Sequence, residues 1–518
     1  MKRVTFSLFP PIFKTIKINH EESIMQTIMT NKFISDVFVI SLFLLILCSI
    51  PNANANLSDF TGLYANELEE ASAIANQGTY DALLEQGCID RQITESDTCS
   101  GTTFNVFSNV RELVHTANEL SGEGPRQFSL GTDLDGLGFA LRWTAGEEFA
   151  GQANITKDFS NGQLSGLTSR LTALRFGATG FSLTAYNRDS NTLASTNRSP
   201  VLGGGASADS IEGFSRWGGF LNGSYGSGNR APTELEDAFD FDGYQINAGI
   251  DYRFDDQIVA GAIVAITDQE IDFDPSQSIV DGGIKSDGYS IMPFVLYQAE
   301  QLFLSISLGY QQMDLTTDRA IRYPSLNPDV ESANTRSLGE TNSTTISFFS
   351  NIGYTFRFNA LAIEPNISFD YLDISIDGFK ERDINNDSFD LTIEKQNITS
   401  NEVALGINVL YTFTPEFGII TPSINIQYRN QLEDSSRNIS SAYSGSNDAE
   451  NFNLATEKLD SEYFVISFSL ASVLWGASQQ TFDGNASGGF QSFINYKYIE
   501  GLDGFSQEVI SAGIRYEF

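Results

Sequence analysis

Residues 244–254 read YQINAGIDYRF. Tyr244, Ile246, Ala248, Ile250, Tyr252 and Phe254 fall on one side of an extended chain, and Gln245, Asn247, Gly249, Asp251 and Arg253 on the other. Alternation with period two marks a strand with one apolar and one polar face. The pattern recurs. LFLSISLGYQ sets Leu302, Leu304, Ile306, Leu308 and Tyr310 against Phe303, Ser305, Ser307 and Gly309. FSNIGYTFRF, LAIEPNISFDY, VALGINVLYTF and IITPSINIQYRN continue it. The final SAGIRYEF completes it, with Ile510, Ala512, Ile514, Tyr516 and Phe518 on one face.

Two architectures suit such strands. In a soluble sandwich the apolar face packs on a second sheet; in a membrane barrel it meets lipid while polar and small residues line the lumen. The recurrence of Asn, Gln, Gly, Ser, Asp, Glu and Arg on one face favours the barrel. So do the aromatics at strand ends (Tyr252/Phe254, Tyr354/Phe356, Tyr411/Phe413, Tyr496/Tyr498), placed as interfacial girdles would be. The connections alternate too. Short turns at 255–257, 299–301, 359–360 and 414–416 alternate with long acidic segments at 226–240, 273–287, 314–342, 377–398 and 432–456. The pattern predicts about twelve strands, beginning near residues 217, 241, 258, 283, 302, 344, 361, 390, 418, 460, 486 and 508. Pro293, Pro365 and Pro422 stand against it, because proline withholds a ladder hydrogen bond.

The fold class expected is therefore mainly β: a C-terminal transmembrane antiparallel barrel behind a small, mostly helical N-terminal domain. The opening of the barrel, RWGGFLNGSYGSG followed by YQINAGIDYRFDDQIVAGAIVAI, resembles the autotransporter β-domain of Gram-negative bacteria, and so do the ordered strands and the aromatic end. The resemblance covers roughly residues 213–518. It implies an outer-membrane protein that translocates or anchors its own N-terminal segment (type V secretion), with outer-membrane lipid, the barrel assembly machinery and the Sec translocon as partners. It also implies that Ile510, Ala512, Ile514, Tyr516 and Phe518 form the C-terminal assembly signal. Passengers of the family are often long repetitive β-helices; here no repeat is visible and the passenger is short. The competing class is a channel or a surface adhesin whose N-terminal domain is a plug or periplasmic module.

The N-terminus fits export. After Lys32 an apolar run from Val37 to Ile50 leads to Ala53-Asn54-Ala55, a signal pattern with cleavage between Ala55 and Asn56. Residues 1–55 thus read as an extended leader and signal peptide, with a lipid anchor at Cys48 as the alternative. A net charge of −36 argues against nucleic acid as a partner. Cys88 and Cys99 read as a disulfide, with a metal site as the alternative.

Residues 56–198 form the expected N-terminal domain, and the Gly/Ser-rich 199–212 a linker or pore segment. Helical spacing shows in LYANELEEASAIANQ, NVFSNVRELVHTANELSG and QLSGLTSRLTALRFGA. The last carries Arg170 and Arg175, either as a helix threading the barrel or as the amphipathic helix of a small domain. GTDLDGLG (Asp133, Asp135) and DINNDSFD (383–390) read as solvated turns, with calcium loops as the alternative. His115 reads as a helix-surface residue. No nucleophile motif, metal set or cofactor fingerprint accompanies it, so no catalytic, metal or cofactor residue and no enzymatic activity are expected. The sequence names no host or surface ligand.

Overall fold

The computed structural model describes residues 56–176 and 217–518, less 256, 274–279, 416–418, 433–435, 448, 457–461, 476–489, 503 and 518. The expected signal segment, Ala55, the 199–212 linker and Phe518 lie outside these residues.

Twelve long strands form the barrel: β1 (Trp217–Arg230), β2 (Phe239–Arg253), β3 (Ile258–Phe273), β4 (Gly282–Ala299), β5 (Leu302–Tyr323), β6 (Ala333–Tyr354), β7 (Leu361–Ile376), β8 (Gln396–Tyr411), β9 (Ile419–Gln431), β10 (Glu462–Trp475), β11 (Phe490–Leu502) and β12 (Phe505–Glu517). Each pairs antiparallel with its neighbours. Closure comes from β1 against β12, in register from Gly218↔Glu517 to Arg230↔Phe505. Among the described residues the barrel sheet closes on itself, as a lipid-embedded sheet requires.

Period two sets the faces. Ile246, Ile250, Ile306, Leu308, Leu405, Ile407, Ile494 and Ile510 point outward and are exposed. Asn247, Asp251, Ser305, Ser307, Glu364, Ser368 and Asn495 point inward and are buried. Outward aromatics ring the short-turn end: Trp217 lies against Tyr252 with ring centroids 4.9 Å apart, Tyr354 against Phe356 at 4.7 Å and Tyr411 against Phe413 at 4.7 Å, each pair tilted. Tyr225, eight residues from Trp217 along β1, starts a second ring with Tyr244, Tyr289 and Tyr310. For strands tilted by about 40° that separates the rings by about 20 Å, close to the height of an outer-membrane apolar band.

The prolines now have an account. The β4–β5 ladder is interrupted between Ile291 and Phe294, at Pro293. Pro365 faces the break where β6 gives way at Thr355 to a short continuation, Phe356–Phe358. Pro422 lies just past the end of the β8–β9 ladder at Ser423. Each sits where a ladder bond is already missing. Inward phenylalanines meet inward glycines on the next strand, Phe220 over Gly249, Phe294 over Gly261 and Phe303 over Gly353, where a Cβ would strike the ring.

Ahead of the barrel lie α1 (Glu67–Gln86), α2 (Thr102–Ser121), α3 (Leu134–Ala145) and α4 (Gly151–Phe176). Asn66 caps α1 by accepting from the Glu69 N–H, and Asp133 caps α3 by accepting from the Gly136 N–H. Asp133 thus starts a helix where a solvated turn was expected. α1 to α3 end at Gly87, Gly122 and Gly146, all left-handed.

One expectation needs correction. The long segments 377–398 and 432–456 are not plain loops: Phe379–Lys380, Leu391–Ile393, Asn438–Tyr443 and Phe452–Ala455 pair into a four-stranded sheet at the barrel mouth. Furthermore, α4, within the expected 56–198 domain, lies inside the barrel, the first of the two alternatives for the helix that carries Arg170 and Arg175.

Candidate functional site

α4 has 26 residues, about 39 Å of helix, enough to thread the lumen. Its partners fix its direction. Near its start, Gln152 donates to Thr317 (3.0 Å), close to the long-loop end of β5. Lower down, Lys157 pairs with Glu402 (2.7 Å), Asp158 accepts from Gln269 and Gln507, and Ser160 donates to Gln311 (2.8 Å). Arg170 meets Asp251 on β2, and Arg175 meets Glu364 on β7 (3.1 Å), both near the short turns. The helix therefore enters at the long-loop end, and residues 57–150 lie on that side.

The lumen is two-sided. Leu164, Leu167, Leu171 and Leu174 pack on Phe220, Val259, Ile263, Met292, Phe294, Leu296, Phe303 and Phe349 from β1 and β3–β6. Toward β9–β11 the helix leaves a cavity of about 180 Å³ lined by groups such as Asn425, Ser467 and Asn495. Glu364 is fully buried, holding Arg175, the Thr355 hydroxyl (2.6 Å) and the Asn408 amide (3.2 Å). Asp251 holds two guanidiniums, Arg170 from the helix and Arg515 (3.4 Å) from the closing strand. Arg170 and Arg175 are thus both buried in the barrel. Lys157, Asp158, Asp251, Glu364 and Glu402 had not been singled out from the sequence.

Above the mouth, the helices and the loop sheet form one cap. Their buried residues make a single apolar cluster, from Leu68, Leu83, Val106, Phe107 and Leu141 to Leu391, Ile439, Tyr443, Phe452 and Leu454. Tyr443 donates to Asn76 (2.8 Å), the Glu450 N–H donates to Thr79 (3.0 Å), Asn109 donates to the Asp387 carbonyl (2.8 Å) and Asn327 to that of Ser129 (2.8 Å). At the centre, Arg319 of β5 and Glu381 of a loop form a bidentate pair, both fully buried. Arg319 also donates to the carbonyls of Trp143 (3.3 Å) and Phe389 (2.9 Å).

Cys88 and Cys99 are bonded. His115 is fully buried, which corrects its reading as a surface residue. Its Nδ1 accepts from the Phe128 N–H (3.1 Å) and its Nε2 faces Asp90 (2.7 Å). Asp383, in the second acidic stretch, is occupied by the Thr335 hydroxyl and the Asn385 and Phe389 N–H groups. Ile510, Ala512, Ile514 and Tyr516 face outward on β12. Asn56 caps a short turn, Leu57–Phe60.

Burial pushes the Glu148 carboxyl up to about 8, against the attraction of Arg319, with Glu147 and Glu381 adding to the rise. Burial likewise raises Glu147 to about 7, opposed by Arg142. An acid that binds its proton more tightly when folded gives stability that is complete below its unfolded pKa and lost as pH rises through the folded one. The cap should therefore digest faster with protease as pH goes from about 5 to about 8. Glu148→Gln should flatten that profile.

Residues 219–486 match a family model described as "Autotransporter beta-domain". No curated protein sequence matches the chain. Similar solved structures include the translocator domain of autotransporter NalP from Neisseria meningitidis, at 12% identity over 58% of this chain and 88% of that one, TM-score 0.41. The β-domain of the Bordetella autotransporter BrkA has 14% identity over 58% and 99%, TM-score 0.40. The transport unit of AIDA-I from Escherichia coli has 12% identity over 68% and 97%, TM-score 0.37.

Proposed function

The chain belongs to the autotransporter β-domain family, an outer-membrane β-barrel, and from that premise we propose that it exports its own residues 57–150 and then keeps them at the cell surface as a fixed cap. The observation that carries this reading is the direction of α4. Its N-terminus lies among the long loops, which in outer-membrane barrels face outward, and its C-terminus among the short turns. Retention follows from the shared core: release would expose Tyr443, Phe452 and Leu391 to water together with their helical partners. The work is mechanical and no covalent bond changes. The barrel assembly machinery and the Sec translocon would be the partners in biogenesis, with the outward face of β12 as the assembly signal.

An epitope tag between Gly122 and Glu123, both exposed, tests the export step. Antibody should bind it on intact cells. Binding only after the outer membrane is permeabilised would make residues 57–150 a periplasmic module and overturn the proposal. The adhesin reading rests on the cap's exposed Ile89 and Ile93, in the disulfide-closed loop.

A further inference from the structure

We propose that the polar cavity beside α4 is a binding site for a small inorganic anion, of the halide or phosphate class, held by the ammonium of Lys497. The site lies in the barrel itself and does not depend on which side of the membrane residues 57–150 occupy.

Lys497 is on the inward face of β11 and is 8% exposed. Among the described residues it forms no hydrogen bond and no ion pair. Two charges act on it, Asp158 and Arg429. Asp158 is already engaged: its Oδ1 accepts from the Gln507 amide (2.6 Å) and its Oδ2 from that of Gln269 (3.0 Å). Arg429 is a cation, and it is itself paired with Asp370 and Glu402, both at 3.1 Å. An ammonium so deeply buried without a direct counter-charge is costly, and a mobile counter-ion is the simplest remedy.

The walls suit an anion. Arg170, Arg429, Lys497 and Arg515 line the cavity of about 180 Å³, and among the described residues no carboxylate does. The neutral groups beside Lys497 are donors. Ser467 stands opposite it in the β10–β11 register. Asn495 is the next inward residue; its carbonyl accepts from the Ser469 hydroxyl (2.7 Å), which leaves its amide N–H groups to donate. Ammonium, hydroxyl and amide thus converge from two neighbouring strands. Asn161 and Ser165 of α4 form the facing wall, so an ion at Lys497 lies between strand and helix.

The cavity also extends toward solvent. It continues from Lys497 to Thr421, Ser472 and Gln491 at the short-turn ends of β9, β10 and β11. Gln491 lies six residues before Lys497, about 20 Å along the strand. That space accommodates an ion with part of its water shell.

The competing arrangement is a water-bridged pair of Lys497 with Asp158, and salt tells the two apart. The test uses the purified full-length chain in detergent, with sodium bromide replacing sodium gluconate at fixed ionic strength, so that screening is constant. Samples are heated in each salt and the loss of the compact form is followed on gels. Bromide should raise the transition by about 2 °C or more, and Lys497→Met should abolish that response. In gluconate, Lys497→Met should be at least as stable as the unsubstituted chain, because it removes an uncompensated charge and keeps the aliphatic volume. Crystals of the unsubstituted chain soaked in bromide should show its anomalous signal against Lys497 Nζ. No bromide at Lys497, or a thermal response that Lys497→Met keeps, would overturn the site. Equal loss of stability by Lys497→Met in both salts would overturn it too, and make Lys497 the partner of Asp158.

Discussion

Replacing Glu381 with alanine is expected to undock the cap while leaving the barrel inserted. Glu381 and Arg319 are both fully buried, and two parallel hydrogen bonds of 3.1 and 2.6 Å join them. Their association as a pair adds little net stability, because desolvation offsets the attraction. Removing one partner is different, for it leaves a fully buried guanidinium without the Glu381 counter-charge; such losses run to about 3–5 kcal/mol. The Leu391 N–H loses its acceptor as well, since it donates to Glu381 at 3.0 Å. Arg319→Met should cost less, because Glu381 keeps that N–H and the methionine fills the volume. The apolar double substitution Arg319→Met/Glu381→Leu should recover most of the loss. Cleavage rates of the cap at fixed trypsin, with barrel folding followed by heat-modifiable mobility, give all three values. If Glu381→Ala digests no faster than the unsubstituted protein, the pair is not what closes the cap.

Much of the barrel was readable in advance because lipid on one side and a polar lumen on the other impose period two on every strand. The faces assigned to 302–310 and 361–371 match the observed exposure residue by residue, and in 244–254 Gln245, Asn247 and Asp251 are buried between exposed Tyr244, Ile246 and Ile250. Strand ends were less legible. β6 begins at Ala333, well before the expected 344, because ANTRSLGE stands above the membrane band and needs no apolar face. The same reasoning explains α4. Its last turns carry the leucines that pack on Phe303 and Phe294, and those were visible as a helix. Its first turns, GQANITKDFSN, face inward-pointing Gln and Glu side chains, so no apolar stripe announces them. α3 was hidden by the two glycines of LDGLG. His115 was misread because burial of a histidine depends on Asp90 and Phe128, which only the fold brings to it.

The two halves of the lumen divide the work of holding α4. On the β1–β6 side the leucines and the inward phenylalanines interlock, an attachment without strong directional preference. Ion pairs then fix register. Lys157 with Glu402 sets the upper end, and Arg175 with Glu364 the lower one. A slip by one helical turn, about 5.4 Å, would break both at once. That pairing is what turns a greasy contact into a single resting position.

Asp251→Ala should have the largest effect within the barrel. Asp251 is 3% exposed and lies between Arg170 of α4 and Arg515 of β12, so one carboxylate ties the lumen helix to the closing seam. Gly218, beside it, leaves the room: a Cβ there would crowd both Arg515 and Asp251. Alanine at 251 would leave two guanidiniums facing each other in a confined space, at a cost of about 3–5 kcal/mol. A lower temperature for loss of the compact form on heated gels, and a higher conductance in planar bilayers as α4 loosens, are the expected readouts. Charge repulsion makes a sharper prediction still. Asp251→Ala/Arg170→Ala should be more stable than Asp251→Ala alone, because the second change removes one of the two facing cations. Arg170→Ala by itself should be mild, since Asp251 still holds Arg515. If the double variant is instead the least stable of the three, Asp251 acts through packing and not as the shared counter-charge of helix and seam.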